Sequence, residues 1–241
     1  MKFKLNLSPN FSNKIRAKTQ IKYIVFHYTG MQSGIESINR LTDIKSKVSC
    51  HYYIGRTGEI LQMVKDNRIA WHAGKCKWNN LKDLNDKSIG IEIENKGHKF
   101  GYQNFTNLQI RSLIHLCKKL RNKFKIKDEN FLGHSDIAPL RKIDPGEKFP
   151  WKKLSKFKIG IWYDLKSKKS LSTGNSDFRT IFFRNLHKIG YRYFSKNIRK
   201  QNDIKIIKAF QRRYLPHKVN GKIDEKLIKI SLILAEKSKI T

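Results

Sequence analysis

With 241 residues, 39% of them hydrophobic, the chain can bury the core of one medium domain and a small accessory one, which excludes a disordered tail. Its 52 Lys+Arg against 19 Asp+Glu give a formal charge of +33, spread along the whole sequence. Such a charge attracts polyanions, but dispersed lysine reads as a solvated surface, and no helix or stripe concentrates it as a dedicated nucleic-acid reader would. Cys50, Cys76 and Cys117 cannot all pair within one chain and have no C-x-x-C spacing, so neither a disulfide framework nor a cysteine zinc site is indicated.

Residues 1–20 carry positive charges without a continuous apolar stretch, so no signal peptide is expected there. Residues 21–28 (IKYIVFHY) are β-branched and aromatic and predict a buried strand ending on a histidine. A helix is expected over 35–47, with Ser33 as its N-cap. Residues 50–54 and 59–64, separated by Arg56-Thr57-Gly58, predict a hairpin. Residues 88–94 (SIGIEIE) alternate apolar and polar side chains, as a half-buried strand does.

Over 106–124, apolar residues at helical spacing follow Thr106, and Gln109 three residues on completes a capping box. Strands interleaved with helices predict a mixed α/β layer architecture. After Trp162 the composition shifts. A Lys/Ser-rich stretch reads as a linker at 166–176, separating residues 1–165 from a small helical domain at 177–241. The apolar run 230–235 is far too short to span a bilayer, so no transmembrane segment is expected.

The residues that carry chemistry are His27, His134 and Asp144. His27 ends a predicted strand, and the other two bracket the loop GHSDIAPLRKIDPG at 133–146. Two imidazoles and a carboxylate suit a catalytic zinc, leaving the fourth tetrahedral position open. Composition alone does not select these three from eight histidines, since a single histidine more often makes a structural hydrogen bond.

Four blocks decide the matter: IVFHYT at 24–29, WHAG at 71–74, SIGIEIEN at 88–95 and the 133–146 loop. Together they closely resemble the zinc-dependent N-acetylmuramoyl-L-alanine amidases of the AmpD/AmiD type, over roughly residues 20–155. That family shares its fold with phage lysozyme-like amidases and peptidoglycan recognition proteins. The resemblance implies a mixed central β-sheet flanked by helices, Zn2+ held by His27, His134 and Asp144, and hydrolysis of the muramoyl–L-alanine amide in peptidoglycan or its fragments. By the same match, Glu92 acts on the attacking water and Lys142 stabilises the oxyanion, roles that suit a carboxylate general base and a fixed cation. Spacing alone does not choose between Glu92 and Glu94; the motif match favours Glu92.

A branch of the superfamily carries a catalytic Tyr before the histidine of the hairpin strand. Here Cys50 precedes His51, and the presence of Glu92 without that Tyr is the AmpD/AmiD combination. Asp144 stands where some relatives have a zinc-binding Cys, which implies more tolerance of other divalent ions. His72, Asn95 and Arg141 are expected to contact substrate, and His51 to be structural. A non-catalytic peptidoglycan-binding protein is the competing reading, whose signature would be a lost ligand; all three are present. Residues 178–191, 206–215 and 219–224 resemble a three-helix peptidoglycan-binding domain, although a helical subdomain that only packs on its neighbour fits the same residues. Wall attachment implies the cell envelope; recycling of muropeptides would place the enzyme in the cytoplasm.

Overall fold

The computed structural model describes residues 3–166, 177–195 and 200–238. The chain runs through β1 (Lys4–Leu5), β2 (Phe11–Ser12), β3 (Tyr23–Tyr28), α1 (Gly34–Thr42), β4 (Tyr52–Ile54), β5 (Ile60–Gln62) and β6 (Ile69–Ala70). It continues through β7 (Ser88–Ile93), α2 (Asn107–Phe124), β8 (Phe131–Gly133), α3 (His134–Ile137) and α4 (Trp151–Ser155). Three helices follow, α5 (Phe178–Ile189), α6 (Asp203–Tyr214) and α7 (Glu225–Lys237). Among the described residues six strands form one sheet in the order β1-β5-β4-β7-β3-β8, and β2 pairs with β6.

The sheet is mixed, as expected. β3 is parallel to both β7 and β8, β7 is parallel to β4, and the β4–β5 hairpin is antiparallel. Parallel neighbours on both sides explain why Ile24, Val25 and Phe26 form an unbroken apolar run, since both of their faces are covered. Ile24, Phe26, Ile89, Ile91 and Phe131 pack against the apolar stripe of α2, from Ile110 through Leu113, Leu116 and Leu120 to Phe124. The capping box at Thr106 and Gln109 starts that helix as expected.

Two expectations are corrected. α1 stops at Thr42 rather than running to 47, because the Asp43 side chain accepts from Lys45 N–H and starts a separate 3-10 turn, Ile44–Ser46. β7 is an interior strand and not a half-buried one: Ile89, Ile91 and Ile93 face α2, while Ser88, Gly90 and Glu92 face inward on the opposite side. Its polar alternation marks a functional cavity, where water-facing residues were expected.

The linker expected at 166–176 lies, apart from Lys166, outside the described residues. Helices α5, α6 and α7 form as expected, and Phe182, Leu186, Ile207 and Phe210 are buried. Their core is continuous with the far face of the sheet, where Val25, Leu132, Ala73 and Trp78 join Phe182, Phe210 and Leu234. Gly190 ends α5 with φ +130° directly against Trp78, whose indole a Cβ would meet at 2.5 Å, and its carbonyl accepts from Asn79 N–H. A buried ion pair completes the junction. Asp136 accepts from Arg213 Nη1 at 2.5 Å, Tyr191 Oη at 2.5 Å and Gly133 N–H at 2.8 Å. The Arg213 guanidinium also donates to the Phe131 carbonyl and stacks over Trp151.

Arg213→Met would leave Asp136 buried without its cation, and is expected to cost about 3–5 kcal/mol in urea unfolding. A loss below about 1 kcal/mol would show that α6 does not hold the segment around Asp136.

Candidate metal centre and active site

The site lies at the carboxyl ends of three parallel strands, where open α/β sheets form crevices. His27 is near the end of β3, and Glu92 lies directly beside it in register on β7. His134 is the first residue after β8, and Ser135 N–H donates to the Asp144 carbonyl at 2.8 Å, folding the loop back so that both ligand candidates point inward.

Three atoms converge. His27 Nδ1 lies 2.9 Å from His134 Nδ1, and Asp144 Oδ2 lies 3.1 Å and 3.0 Å from the two nitrogens. All three residues are buried. The outer nitrogens settle the tautomers. His134 Nε2 donates to the Ala73 carbonyl at 3.0 Å, so its Nδ1 carries a lone pair. His27 Nε2 donates to His72 Nδ1 at 3.1 Å, His72 Nε2 donates to Ser88 Oγ at 3.2 Å, and Ser88 donates to the Leu84 carbonyl at 2.6 Å. That chain leaves the His27 Nδ1 lone pair facing the same point. Two lone pairs and a carboxylate oxygen facing one another in a buried space need a cation between them. Bonds of about 2.0 Å in a tetrahedral set separate ligand atoms by about 3.3 Å, close to the spacing found. The donor set therefore fits a divalent metal.

Electrostatics agree. Burial and the neighbouring His134 lower the His27 pKa to about 4, against the opposing pull of Asp144, so His27 is neutral as a ligand must be. Burial alone would raise the Asp144 pKa; the carboxyl is held well below its usual range by positive charge at the His134 and His27 ring edges, which in the metal-free pocket stands where a bound cation would. Glu92 behaves oppositely. Burial, reinforced by Asp144 and only partly offset by Lys142, pushes it up to about 8, and its Oε2 is buried with no hydrogen-bond partner among the described residues. An unpartnered carboxylate oxygen beside a metal-ready trio is placed to move a proton.

These residues line a cavity of about 360 Å³ together with His72, Arg141, Lys142, Trp71 and Arg40. The choice left open between Glu92 and Glu94 is resolved by position. Glu94 accepts from Tyr53 Oη at 2.8 Å and Arg56 N–H at 3.0 Å and ties the hairpin to β7, outside the cavity wall. His72 reaches the cavity but is held between His27 and Ser88. A Cβ on Gly90 would meet its ring at 2.4 Å, so only glycine lets the ring lie on β7. Arg141 lines the cavity with its guanidinium committed to the Ala73 and Lys75 carbonyls. Asn95 is not brought to the site. Its side chain is buried, donating to the Gln103 carbonyl and accepting from Gly97 and Gln103 N–H. His51 is structural, its Nδ1 accepting from Gly90 N–H, and Cys50 is packed against Met63. Sequence reasoning missed Ser88 and Arg40. Ser88 lay within a recognised block but carried no signal as a hydrogen-bond relay, and nothing in the spacing of α1 points Arg40 toward a cavity.

The family model for N-acetylmuramoyl-L-alanine amidase matches residues 17–147. The chain is 35% identical over 237 residues to N-acetylmuramoyl-L-alanine amidase AmiD of Escherichia coli (strain K12), covering 92% of this chain and 84% of AmiD. It is 41% identical over 108 residues to 1,6-anhydro-N-acetylmuramyl-L-alanine amidase AmpD of Haemophilus influenzae, covering 44% and 56% of the two chains. The structure of E. coli AmiD in complex with the substrate anhydro-N-acetylmuramic acid-L-Ala-D-gamma-Glu-L-Lys aligns with a TM-score of 0.80 at 33% identity, over 92% of this chain and 91% of that one. AmpDh3 from Pseudomonas aeruginosa aligns with a TM-score of 0.81 at 29% identity, over 93% and 96%.

Two outcomes are expected from this geometry. Ser88→Ala cuts the hydrogen-bond chain behind His27 without touching a ligand. It should weaken divalent-metal binding about 10-fold, measured with Zn2+ against a chromophoric chelator; unchanged affinity would show that the chain does not orient His27. In the metal-free protein the raised Glu92 pKa means that stability falls as pH rises from about 4.5 to about 8. Glu92→Gln lacks that loss, so its advantage in chemical unfolding should grow across the same window to on the order of 1–3 kcal/mol.

Proposed function

The chain belongs to the N-acetylmuramoyl-L-alanine amidase family, and from that membership we propose how its site performs the reaction. The enzyme hydrolyses the amide bond between N-acetylmuramoyl, or anhydro-muramoyl, and L-alanine in peptidoglycan or its fragments. The observation that carries the reading is the convergence of His27 Nδ1, His134 Nδ1 and Asp144 Oδ2 beside the unpartnered Oε2 of Glu92.

In this reading His27, His134 and Asp144 hold Zn2+, which when bound supplies a Lewis acid for the scissile carbonyl and acidifies the attacking water. Glu92 Oε2 takes the proton of that water and returns it to the departing L-alanine amine. Burial raises its pKa in the metal-free pocket, and a cation bound beside it would draw it back toward the carboxylate form that accepts the proton. Lys142 lines the same cavity, and its charge acts on both His27 and Glu92. From there its ammonium faces the oxyanion that develops as the carbonyl becomes tetrahedral. His72 and Arg141 act through other groups, the first orienting His27 and the second holding the carbonyls of Ala73 and Lys75 that frame His134. The peptidoglycan fragments it would meet carry a peptide of the kind bound by E. coli AmiD, whose substrate is anhydro-N-acetylmuramic acid-L-Ala-D-gamma-Glu-L-Lys.

Digestion of purified peptidoglycan and of a soluble anhydro-muramyl tripeptide, with products identified by mass spectrometry, tests this. Free peptide beginning at L-alanine is expected, abolished by a chelator and restored by Zn2+. Glu92→Gln should lower kcat by about 10²–10⁴-fold with metal still bound, and Lys142→Ala by about 10²–10³-fold. Intact substrate after incubation with zinc-loaded protein would overturn the mechanism.

A further inference from the structure

Three cations line the cavity: Arg141, Lys142 and Arg40. Arg141 is committed to backbone carbonyls, and Lys142 stands close enough to the metal centre to act on His27 and Glu92. Arg40 differs from both. It projects from the last turn of α1, which supplies Ser37, Arg40 and Leu41 to the cavity wall. Among the described residues it has no hydrogen-bond or ion-pair partner. Its natural partner on the helix is Glu36, four residues earlier, where such pairs usually form. Glu36 instead accepts from Gln32 N–H at 3.2 Å, in the loop before the helix. The negative end of the helix accounts for a cation in the last turn, but not for one left unpaired in the wall of the active cavity.

The substrate class supplies the missing charge. In a γ-linked glutamate the side-chain carboxyl forms the peptide bond, so the α-carboxylate is free. The sugar and the L-alanine carry no charge at neutral pH, which makes this carboxylate the first anion beyond the scissile bond. It lies one residue past L-alanine, roughly 3.5 Å of extended chain. We propose that Arg40 is a specificity-determining residue that receives this α-carboxylate, so that the enzyme selects stem peptides with a free acid at the second position over those with an α-amide. The planar guanidinium matches a carboxylate with two parallel hydrogen bonds, which an amide cannot reproduce. The assignment rests on the amidase reading.

The test compares two soluble substrates, anhydro-muramyl-L-Ala-γ-D-Glu-L-Lys and its α-carboxamide analogue, with zinc-loaded wild type, Arg40→Gln and Arg40→Lys. Wild type should favour the acid by about 10-fold or more in kcat/KM, the effect of one charge-assisted pair. Arg40→Gln should remove that preference by raising KM for the acid substrate about 10-fold more than for the amide, and Arg40→Lys should restore part of it. Equal effects of Arg40→Gln on both substrates, or no effect on either, would overturn the assignment. Wild type that cleaves both substrates equally refutes the role of Arg40 and leaves the amidase standing, whereas wild type that cleaves neither refutes the amidase mechanism itself.

Discussion

Everything in the catalytic half serves one electrostatic constraint: two imidazole lone pairs and a carboxylate oxygen must face one another about 3 Å apart in a buried space. Without a cation that arrangement is repulsive, so the chain cannot rely on the three groups to find each other. It places them by backbone. Parallel pairing of β3 with β7 and β8 sets His27 and Glu92 side by side and delivers His134 at the end of the next strand. The return of the 133–146 loop, fixed by Ser135 on the Asp144 carbonyl, brings in the third group. Hydrogen bonds from the outer nitrogens to the Ala73 carbonyl and to His72 then turn the lone pairs inward.

The same constraint explains features that look unfavourable in isolation. A half-buried glutamate with an unpartnered oxygen destabilises the metal-free fold, and the proton-transfer role proposed for Glu92 would account for a carboxyl being kept at that point. Gly90 weakens a central strand, yet any side chain would displace His72 from the hydrogen-bond chain behind His27. The C-terminal helices belong to this account as well. Asp136, two residues from His134, is held by Tyr191 from the end of α5 and Arg213 from α6. The segment carrying a ligand candidate is thus clamped from below by helices remote in sequence. This junction is shared core and not a loose contact, as Trp78 packing against Tyr191 and Gly190 also shows.

Much was legible beforehand because it depends on local pattern. The apolar run before His27, the hairpin, the capping box at Thr106 and the spacing of the C-terminal helices follow from strand and helix periodicity and from capping chemistry, which neighbouring residues impose. The four sequence blocks were enough to pick out His27, His134, Asp144, Glu92 and Lys142, all of which the cavity brings together. What depends on residues far apart was not legible. Whether the polar face of β7 met water or a cavity was decided by what packed over it, and a period of two carries no such information. Asn95 and Arg141 looked available for substrate because their residue types are. Only the fold shows that Gln103 and the Ala73 and Lys75 carbonyls already occupy them. Arg40 is the reverse case, an ordinary surface arginine by sequence that the tertiary structure leaves unpaired at the cavity wall. The sequence determined which groups could do chemistry, since that is a property of each side chain. The tertiary structure decided which of them are free to do it, since hydrogen bonds and burial are settled by partners tens of residues away.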